Sequence, residues 1–410
     1  MFKTVFVPFA STINDRNVNK TVEYFYMLVK SYVEHRLPLI NTPEQLEKHS
    51  EILNSCHTII ALACTGGVSK LITYLAKYHK PIIVLSHPTQ NSLASAIHAC
   101  NILKHDKYPI LILHNLSKEN ISDLEKALKI TTGFGKMVGS KLLLIGVTKD
   151  WVLSEQYDIQ YLEKQFKIKV LTVSLEDLVK TYKTSEAHRE LIQHFEKFDQ
   201  GEKFSSLIHE SSKVYSAIIS LLKQHNAIGY GIRCFPFIMR SRTTPCLAVS
   251  YSIDNGIVGA CEADLGALIT MLIAHNITGE PVFMGNIENI RDNNIVLAHC
   301  TIATKLLSTL SLRSHFETNS SVAIAGEIKE EFVTLLRLSN DFRKIFVAEG
   351  KILRNKPWSN EFCRTQLEIR VNRPLDKLIK NPIGSHLVVV PGNHFMTFQR
   401  LAEILNIVIY

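Results

Sequence analysis

The sequence lacks the features that mark membrane, secreted and repeat proteins. Its 410 residues contain no run of about 18 or more apolar side chains, so we expect no transmembrane helix. Residues 14–16 are already polar, which favours an opening β-strand over a signal peptide. There is no internal repeat and no low-complexity tract. What remains is a globular chain whose length predicts two or three domains.

The cysteines follow neither a disulfide nor a zinc-binding pattern. There are eight of them, none in a CxxC pair, and most lie inside apolar runs. Cysteines placed in this way are usually reduced and buried as small apolar side chains. We therefore predict a cytoplasmic location.

The positive charge of the chain is not concentrated in one place. The formal net charge is +8, but the lysines and arginines are scattered along the sequence. A nucleic-acid-binding surface needs a clustered basic stripe, so we expect neither nucleic acid nor a membrane as partner. A mildly basic protein of this kind suits small molecules that are neutral or anionic.

The first half of the chain alternates between apolar strands and helices. The strands predicted for residues 1–135 are continuously apolar and lie at residues 5–8, 57–63, 81–85 and 110–113. Such strands, separated by helical segments, indicate a parallel sheet covered on both faces. Residues 136–226 repeat the pattern, with strands at residues 141–147 and 167–173. We predict two doubly wound α/β domains, 1–135 and 136–226.

The pattern changes after about residue 228. Strands of the alternating type follow one another closely at residues 321–326, 332–338, 344–350 and 365–371. Their spacing predicts a mostly antiparallel sheet or barrel. We therefore expect an α/β protein with two parallel-sheet domains and a mixed C-terminal domain, 227–410, that contains an antiparallel β-barrel part.

Polar residues interrupt the C-terminal domain where predicted strands and helices meet. Glu262 and Asp264 precede an apolar helix, Asn286 and His299 lie at strand ends, and His394 lies between a strand and a helix. Oxygen and nitrogen ligands from separate segments are what a divalent metal site needs. Each residue also has a structural interpretation: a carboxylate favoured by the helix dipole, a turn cap, a strand-end histidine or a helix cap.

Other polar residues could line a pocket near these. Arg313, His315 and Glu317 would face the same side of a strand, and that face is either solvated or part of a pocket. Arg233 and Arg364 lie at strand edges, where they suit sugar hydroxyls or anions.

Two loops of the first domain follow predicted strands. Thr65 and Gly66 begin a loop that joins a strand to a helix and could hold an anion. The loop lacks the full P-loop or GxGxxG spacing, so a nucleotide- or phosphate-binding enzyme is the weaker interpretation. His87 and Asn91 follow the next strand. Open α/β sheets bind ligands at the carboxyl ends of such strands.

Several of these segments together resemble the L-fucose isomerase family, and most of all its shorter fucose isomerase-like branch. The segments that carry the resemblance are residues 261–264, 283–286, 299–301, 313–317 and 391–394. In the same order along the chain, residues 65–67, 87–92, 150–151 and 364–366 also resemble that branch.

The resemblance implies two α/β domains and a C-terminal domain with a β-barrel part. It implies a homo-oligomer, a trimer or hexamer, whose active sites are completed by a neighbour's first domain. It implies an aldose substrate that is converted to its ketose through an enediol, with Mn²⁺ held by a glutamate, an aspartate and a histidine. By motif, the glutamate is Glu262 and the histidine is His394, while the aspartate position is occupied by Asn286.

Asn286 is a departure from the family pattern. Its amide oxygen can ligate a metal, but it cannot act as a base at neutral pH. His299, His315, Glu317 and Asp264 are candidates to replace the missing carboxylate.

Two hypotheses follow from this departure. In the first, the chain is an aldose–ketose isomerase with Glu262 as the base, Asn286 as a neutral ligand or a hydroxyl-orienting group in the catalytic site, and Glu262, Asn286 and His394 on Mn²⁺. The residues expected to bind the sugar are Thr65, Gly66, His87, Asn91, Arg233, Asp264, His299, Arg313, His315, Glu317 and Arg364. In the second, the chain is a catalytically altered or non-catalytic sugar-binding protein on the isomerase scaffold.

Overall fold

The computed structural model describes residues 3–12, 18–200 and 203–410, with the backbone alone at residues 153 and 154. Among these residues, no helix is both long and apolar enough to cross a bilayer. All eight cysteines are free thiols, and all but Cys100 are buried.

The first unit is built around a parallel sheet. Its elements are β1 (Thr4–Phe9), α1 (Val18–Val29), a 3-10 turn (Lys30–Tyr32), β2 (His35–Arg36), α2 (Pro43–Glu47), α3 (Ser50–Ser55), β3 (Thr58–Ala63), α4 (Ser69–Tyr74), a second 3-10 turn (Leu75–Tyr78), β4 (Ile82–Ser86), α5 (Ser92–His105), β5 (Ile110–His114) and α6 (Ile121–Gly135). The strands lie in the order β2-β1-β3-β4-β5, all parallel. Every residue of β1, β3 and β4 is buried, as expected of strands covered on both faces.

A second parallel sheet follows. Its elements are β6 (Lys141–Ile145), α7 (Lys149–Ser154), α8 (Ile159–Phe166), β7 (Lys169–Val173), α9 (Leu175–Thr184), α10 (Arg189–Glu196), α11 (Ser205–His225), β8 (Gly229–Ile232), α12 (Cys234–Ser241), α13 (Cys246–Asp254) and β9 (Val258–Cys261). The strand order is β7-β6-β8-β9. Since β8 and β9 come after residue 227, this sheet spans the predicted boundary at 226/227, and the division into domains stays a prediction.

The remaining elements form a barrel and its cover. They are α14 (Leu265–Thr278), β10 (Phe283–Arg291), β11 (Asn294–His299), a 3-10 turn (Thr304–Leu306), β12 (Leu307–Arg313), β13 (Ala323–Ile328), β14 (Phe332–Leu338), β15 (Lys344–Arg354), β16 (Thr365–Val371), α15 (Asp376–Lys380), β17 (His386–Pro391), α16 (Phe395–Leu405) and β18 (Val408–Ile409). Antiparallel pairing runs β14-β17-β10-β11-β16-β15 and closes from β15 back to β14. β18 adds to β15 in parallel, and β12 pairs with β13 as a separate ribbon. The predicted fold class is confirmed.

Helix α14 connects the three parts of the molecule. It is apolar on all sides, and nearly all of its residues are buried. It packs against α6 from the first unit, against β8 and β9 of the second sheet, and against β10, β14 and β17 of the barrel. Its N-terminus therefore begins where the carboxyl edge of the second sheet meets the barrel.

The crossing of α6 and α14 depends on a glycine. A Cβ at Gly133 of α6 would lie 2.8 Å from the carbonyl oxygen of Asn276 and 2.9 Å from Cα of Ile277, both in α14. These are backbone atoms of a buried helix, so they cannot move aside as the end of a flexible side chain could. The missing side chain at Gly133 allows α14 to approach α6 closely.

We expect Gly133→Ala to lower the free energy of unfolding by about 1–3 kcal/mol, because the added methyl group overpacks the α6–α14 contact. Lys129→Ala, at an exposed position of the same helix, is the control and should change the stability by less than about 0.5 kcal/mol. Urea unfolding followed by circular dichroism measures both. If Gly133→Ala were as stable as the parent protein, α6 and α14 could move apart to accommodate the methyl group without loss of stability.

Candidate active site

Three segments of the chain bring a carboxylate and two histidines together. Glu262 lies between β9 and α14, His299 ends β11, and His386 begins β17. One ligand atom from each of the three residues lies within 4.8 Å of those from the other two. One carboxylate and two imidazoles at this separation form a possible metal-binding group.

The backbone at Glu262 is strained. Glu262 and Ala263 have φ angles of 58° and 53°, in the left-handed region that residues with a Cβ rarely adopt. The N–H of Ala263 donates to the carbonyl of Ile232, which fixes the turn against the neighbouring strand β8. Strain of this kind persists where the surrounding structure enforces it, and it is common at active sites. Here it carries the chain from β9 into α14.

Asp264 is the centre of a buried ion network. It caps the N-terminus of α14, where its Oδ1 accepts the N–H of Ala267 at 2.9 Å. The guanidinium Nη1 of Arg337 donates to both carboxylate oxygens at 2.9 Å, and Nδ1 of His386 lies 2.9 Å from Oδ2. Arg337 and His386 are each only 1% exposed. These contacts occupy both oxygens of Asp264 within the protein, so its place in the site is to orient His386.

The charges in this network support one another. Burial by itself would raise the pKa of Asp264, but the positive charge of Arg337 and the hydrogen bond from His386 hold it well below its usual range. Burial would lower the pKa of His386, but Asp264 and Glu262 together raise it to about 9. At neutral pH, therefore, His386 is protonated between two ionised carboxylates.

Glu262 lies on the open side of His386. Its Oε1 is 3.6 Å from Nε2 of His386, and its side chain is 36% exposed. Burial would raise the pKa of Glu262, but its interaction with the nearby positive charge of His386 outweighs this effect and lowers the pKa. Glu262 is therefore an ionised carboxylate that a ligand can reach.

His299 is buried and neutral. Burial and the positive charge of His386 lower the pKa of His299 to about 3. Its Nδ1 accepts a hydrogen bond from the N–H of Thr301 at 3.3 Å, and its ring centroid is 5.8 Å from that of His386. With Nδ1 accepting, the proton of the neutral ring lies on Nε2, which can donate a hydrogen bond to a sugar oxygen, while binding a metal through Nε2 would need the other tautomer.

Sequence reasoning named His394 as the histidine ligand and did not single out His386. The ring of His394 instead lies with Nε2 2.8 Å from the carbonyl oxygen of Pro391, and its backbone N–H donates to Thr334 at 2.8 Å. His394 does not belong to the group formed with Glu262. His386 gave no signal in the sequence, because it only opens the apolar run of residues 387–390, and its importance depends on strand pairing.

That pairing also places Asn286. In the antiparallel ladder, Asn286 of β10 lies opposite His386 on one side and Ala298 on the other. Opposite residues of such a pair project to the same face, with Cβ atoms about 5 Å apart. The half-buried amide of Asn286 therefore lies beside His386.

The prediction that Arg313, His315 and Glu317 share a strand face is wrong. Strand β12 ends at Arg313, and the chain then turns, with the N–H of Asn319 donating to the carbonyl of His315 at 2.9 Å. The side chain of His315 contributes to the turn, since its Nδ1 lies 3.1 Å from Oγ1 of Thr318.

The three side chains separate as a result. Arg313 lines a surface cavity of about 510 Å³ together with Asp199 and Lys203. Glu317 remains within electrostatic reach of Glu262, because partial burial and the negative charge of Glu262 raise its pKa. Burial and the charge of Arg364 lower the pKa of His315.

The two strand-edge arginines differ in their contacts. Arg364 is committed to the protein, since its Nε donates to the carbonyl of Ser314 at 2.8 Å and its Nη2 to Oγ of Ser314 at 3.3 Å. Arg233 is the N-cap residue of α12, and its guanidinium carbon lies 5.1 Å from the ring centroid of Trp151.

The first-domain candidates lie together at the carboxyl edge of the first sheet. Thr65 Oγ1 accepts the N–H of Ser11 at 2.8 Å, and Nε2 of His87 lies 3.0 Å from the carbonyl of Cys64. Asn91 has a φ angle of 56°, and a Cβ on Gly66 would lie 2.9 Å from Cβ of Asn91. Among the described residues, no hydrogen bond or ion pair joins this edge to Glu262, His299 or His386.

We expect Arg337→Met to destabilise the protein by about 3–5 kcal/mol, because it leaves the buried charge of Asp264 only partly compensated. The control is Arg240→Met. Arg240 forms an ion pair with Glu176 in which both side chains are at least half exposed, so its loss should matter by under about 1 kcal/mol. Thermal unfolding compares the two. If both variants lowered the thermal stability equally, Arg337 would not be important for the buried ion network.

The chain is similar in sequence to known sugar isomerases. No family model matches it. The sulfoquinovose isomerase of Priestia aryabhattai is 21% identical over 397 residues, which span 90% of this chain and 89% of the relative. The sulfoquinovose isomerase of Priestia megaterium (strain ATCC 12872 / QMB1551) has the same values, and that of Clostridium sp. (strain MSTE9) is 23% identical over 211 residues, 48% of this chain and 46% of the relative. The similarity agrees with the class of enzyme that the sequence motifs predict.

Proposed function

We propose that this protein is an aldose–ketose isomerase that acts on a sugar or a sugar derivative. The observation that carries the proposal is the ionised, accessible Glu262, held beside a protonated and a neutral histidine where three segments converge. Similarity to sulfoquinovose isomerases along nearly the whole chain supports it.

Glu262 is the base in this proposal. Isomerisation of an aldose removes the proton from C2, returns a proton to C1, and moves a hydroxyl proton from O2 to O1, so it needs a carboxylate near the two carbons. Glu262 is ionised at neutral pH because of His386. Asp264 and Arg337 act indirectly. Asp264, held by Arg337, fixes the ring of His386 and therefore the position of the positive charge next to Glu262.

The residues of the group fit a divalent cation. Nε2 of His386 is buried and has no hydrogen-bond partner among the described residues, while its Nδ1 is held by Asp264. A carboxylate that orients a ligating histidine through the other ring nitrogen is a common arrangement in metal sites. Glu262, His299 and His386 would hold the ion once His386 has released the proton on Nε2, with Mn²⁺ the expected metal, and Asn286 could add its amide oxygen. When bound, such a cation would stabilise negative charge that develops on the sugar oxygens.

The second proton carrier cannot be Asn286, because an amide does not accept a proton at neutral pH. Glu317 is the candidate that the electrostatics favour, since partial burial and the negative charge of Glu262 raise its pKa. A carboxyl group whose pKa is raised can hold and release a proton closer to neutral pH than an ordinary one.

The other expected sugar contacts are Arg233, His299, Arg313, His315 and Arg364. Thr65, Gly66, His87 and Asn91 belong to the first domain, and in a homo-oligomeric trimer or hexamer they would serve the site of a neighbouring subunit. Size-exclusion chromatography with light scattering measures the oligomeric state that this arrangement requires.

A second candidate function is sugar binding without turnover, and Asn286 is the residue that favours it. Such a protein would be stabilised by a sugar but would exchange no proton. The two candidates therefore differ in a measurable way.

We expect the purified protein, supplied with Mn²⁺, to exchange the C2 proton of an aldose in D₂O, with NMR as the readout. Sulfoquinovose is the first sugar to test, followed by unmodified pentoses and hexoses. Glu262→Gln should lower the rate by at least about 100-fold, because it removes the base. Sugar-induced thermal stabilisation without exchange in the parent protein would favour the binding function.

We expect His386→Gln and Glu262→Gln to lower the affinity for Mn²⁺ by at least about tenfold, because each removes a ligand or its charge. His394→Gln should retain Mn²⁺, because its ring contacts Pro391 and not the group. Isothermal titration with Mn²⁺ and metal analysis after dialysis measure this, with circular dichroism to confirm folding. If His394→Gln lost Mn²⁺ while the other two variants retained it, His394 would be the histidine ligand.

A further inference from the structure

Arg233 and Glu262 lie next to each other at the carboxyl edge of the second sheet. Ile145, Ile232 and Cys261 are register partners across β6, β8 and β9. Arg233 directly follows Ile232 at the end of β8, and Glu262 directly follows Cys261 at the end of β9. The N–H of Arg233 donates to the carbonyl of Ile145 at 2.9 Å, which holds the start of its loop in the sheet.

The guanidinium of Arg233 is held in place but is not neutralised. It lies over the face of Trp151 at 5.1 Å, and it is half-buried. Among the described residues, no carboxylate lies within ion-pair distance of it, whereas Arg337 has Asp264 and Arg364 is hydrogen bonded to Ser314. The planar set of N–H donors of Arg233 therefore remains for a ligand.

The start of helix α12 makes this corner more positive still. Arg233 is also the N-cap of α12, which has no acidic residue in its first turn. The positive end of the helix dipole therefore adds to the guanidinium charge without opposition.

We propose that Arg233, supported by Trp151, binds an anionic group on the sugar, a sulfonate or a phosphate on a carbon remote from C1 and C2. This rests on the proposed function, because Glu262 marks where C1 and C2 lie. In this proposal the substrate is an anionic sugar, and Arg233 is the residue that makes the protein bind anionic sugars in preference to neutral ones.

The experiment compares binding of sulfoquinovose, glucose 6-phosphate and the neutral sugar glucose by isothermal titration calorimetry. The parent protein should bind one of the two anionic sugars at least about tenfold more tightly than glucose, because hydrogen bonds from an arginine to an anion are strong. The two anionic sugars distinguish sulfonate from phosphate. Equal affinity for all three sugars overturns the proposal.

Three arginine variants separate Arg233 from its neighbours. Arg233→Met should weaken binding of the preferred anionic sugar by roughly ten- to a hundredfold and binding of glucose by a clearly smaller factor, and Arg233→Lys should recover part of the loss. Arg240→Met, on the same helix but paired with Glu176, should change neither. Arg364→Met tests the alternative that Arg364 binds the anionic group. If Arg364→Met abolishes the preference for the anionic sugar and Arg233→Met does not, Arg233 is not the anion site.

Turnover measured in parallel keeps the two proposals distinct. A parent protein that isomerises neutral sugars as well as anionic ones retains the proposed function but loses this inference. A parent that binds an anionic sugar through Arg233 without turnover retains the inference and loses the isomerase. A protein that binds and converts none of the sugars contradicts both.

Discussion

The buried ion network of Asp264, Arg337 and His386 is the interaction on which the site depends. It joins the N-terminus of α14 to two strands of the barrel, β14 and β17, at the point where the second sheet also ends. Buried charges are tolerated only when they are paired and hydrogen bonded, so Arg337 and His386 each depend on Asp264. The same network that secures the junction therefore fixes the ring of His386 next to Glu262.

This arrangement gives three ionisable groups three different states at one pH. Glu262 is ionised, His386 is protonated and His299 is neutral, although all lie within a few ångströms of one another. The difference comes from partners, since His386 has two carboxylates and His299 has mainly the positive charge of His386. Groups whose environments push their pKa values apart are typical of catalytic sites. The left-handed backbone at Glu262 is consistent with such a site.

Several particular features could be predicted from the sequence. The apolar runs of β1, β3 and β4 have the composition of strands covered on both faces, and the alternating segments after residue 320 predicted the barrel. Glu262 could be found because a carboxylate before a wholly apolar helix is unusual. The strand face of Arg313, His315 and Glu317 was wrong because a turn after residue 313 looks, in sequence, like the continuation of a strand.

The sequence by itself determined the class of fold and the position of Glu262, because local periodicity and polarity specify elements and their ends. Tertiary structure alone decided which groups surround Glu262. His386 and Arg337 lie 124 and 75 residues from it in the chain, by subtraction of their numbers, and no local pattern marks them. Their closeness arises from barrel closure and from the packing of α14, which are long-range contacts that periodicity does not contain. The ligand set and the charge of each group are consequences of those contacts.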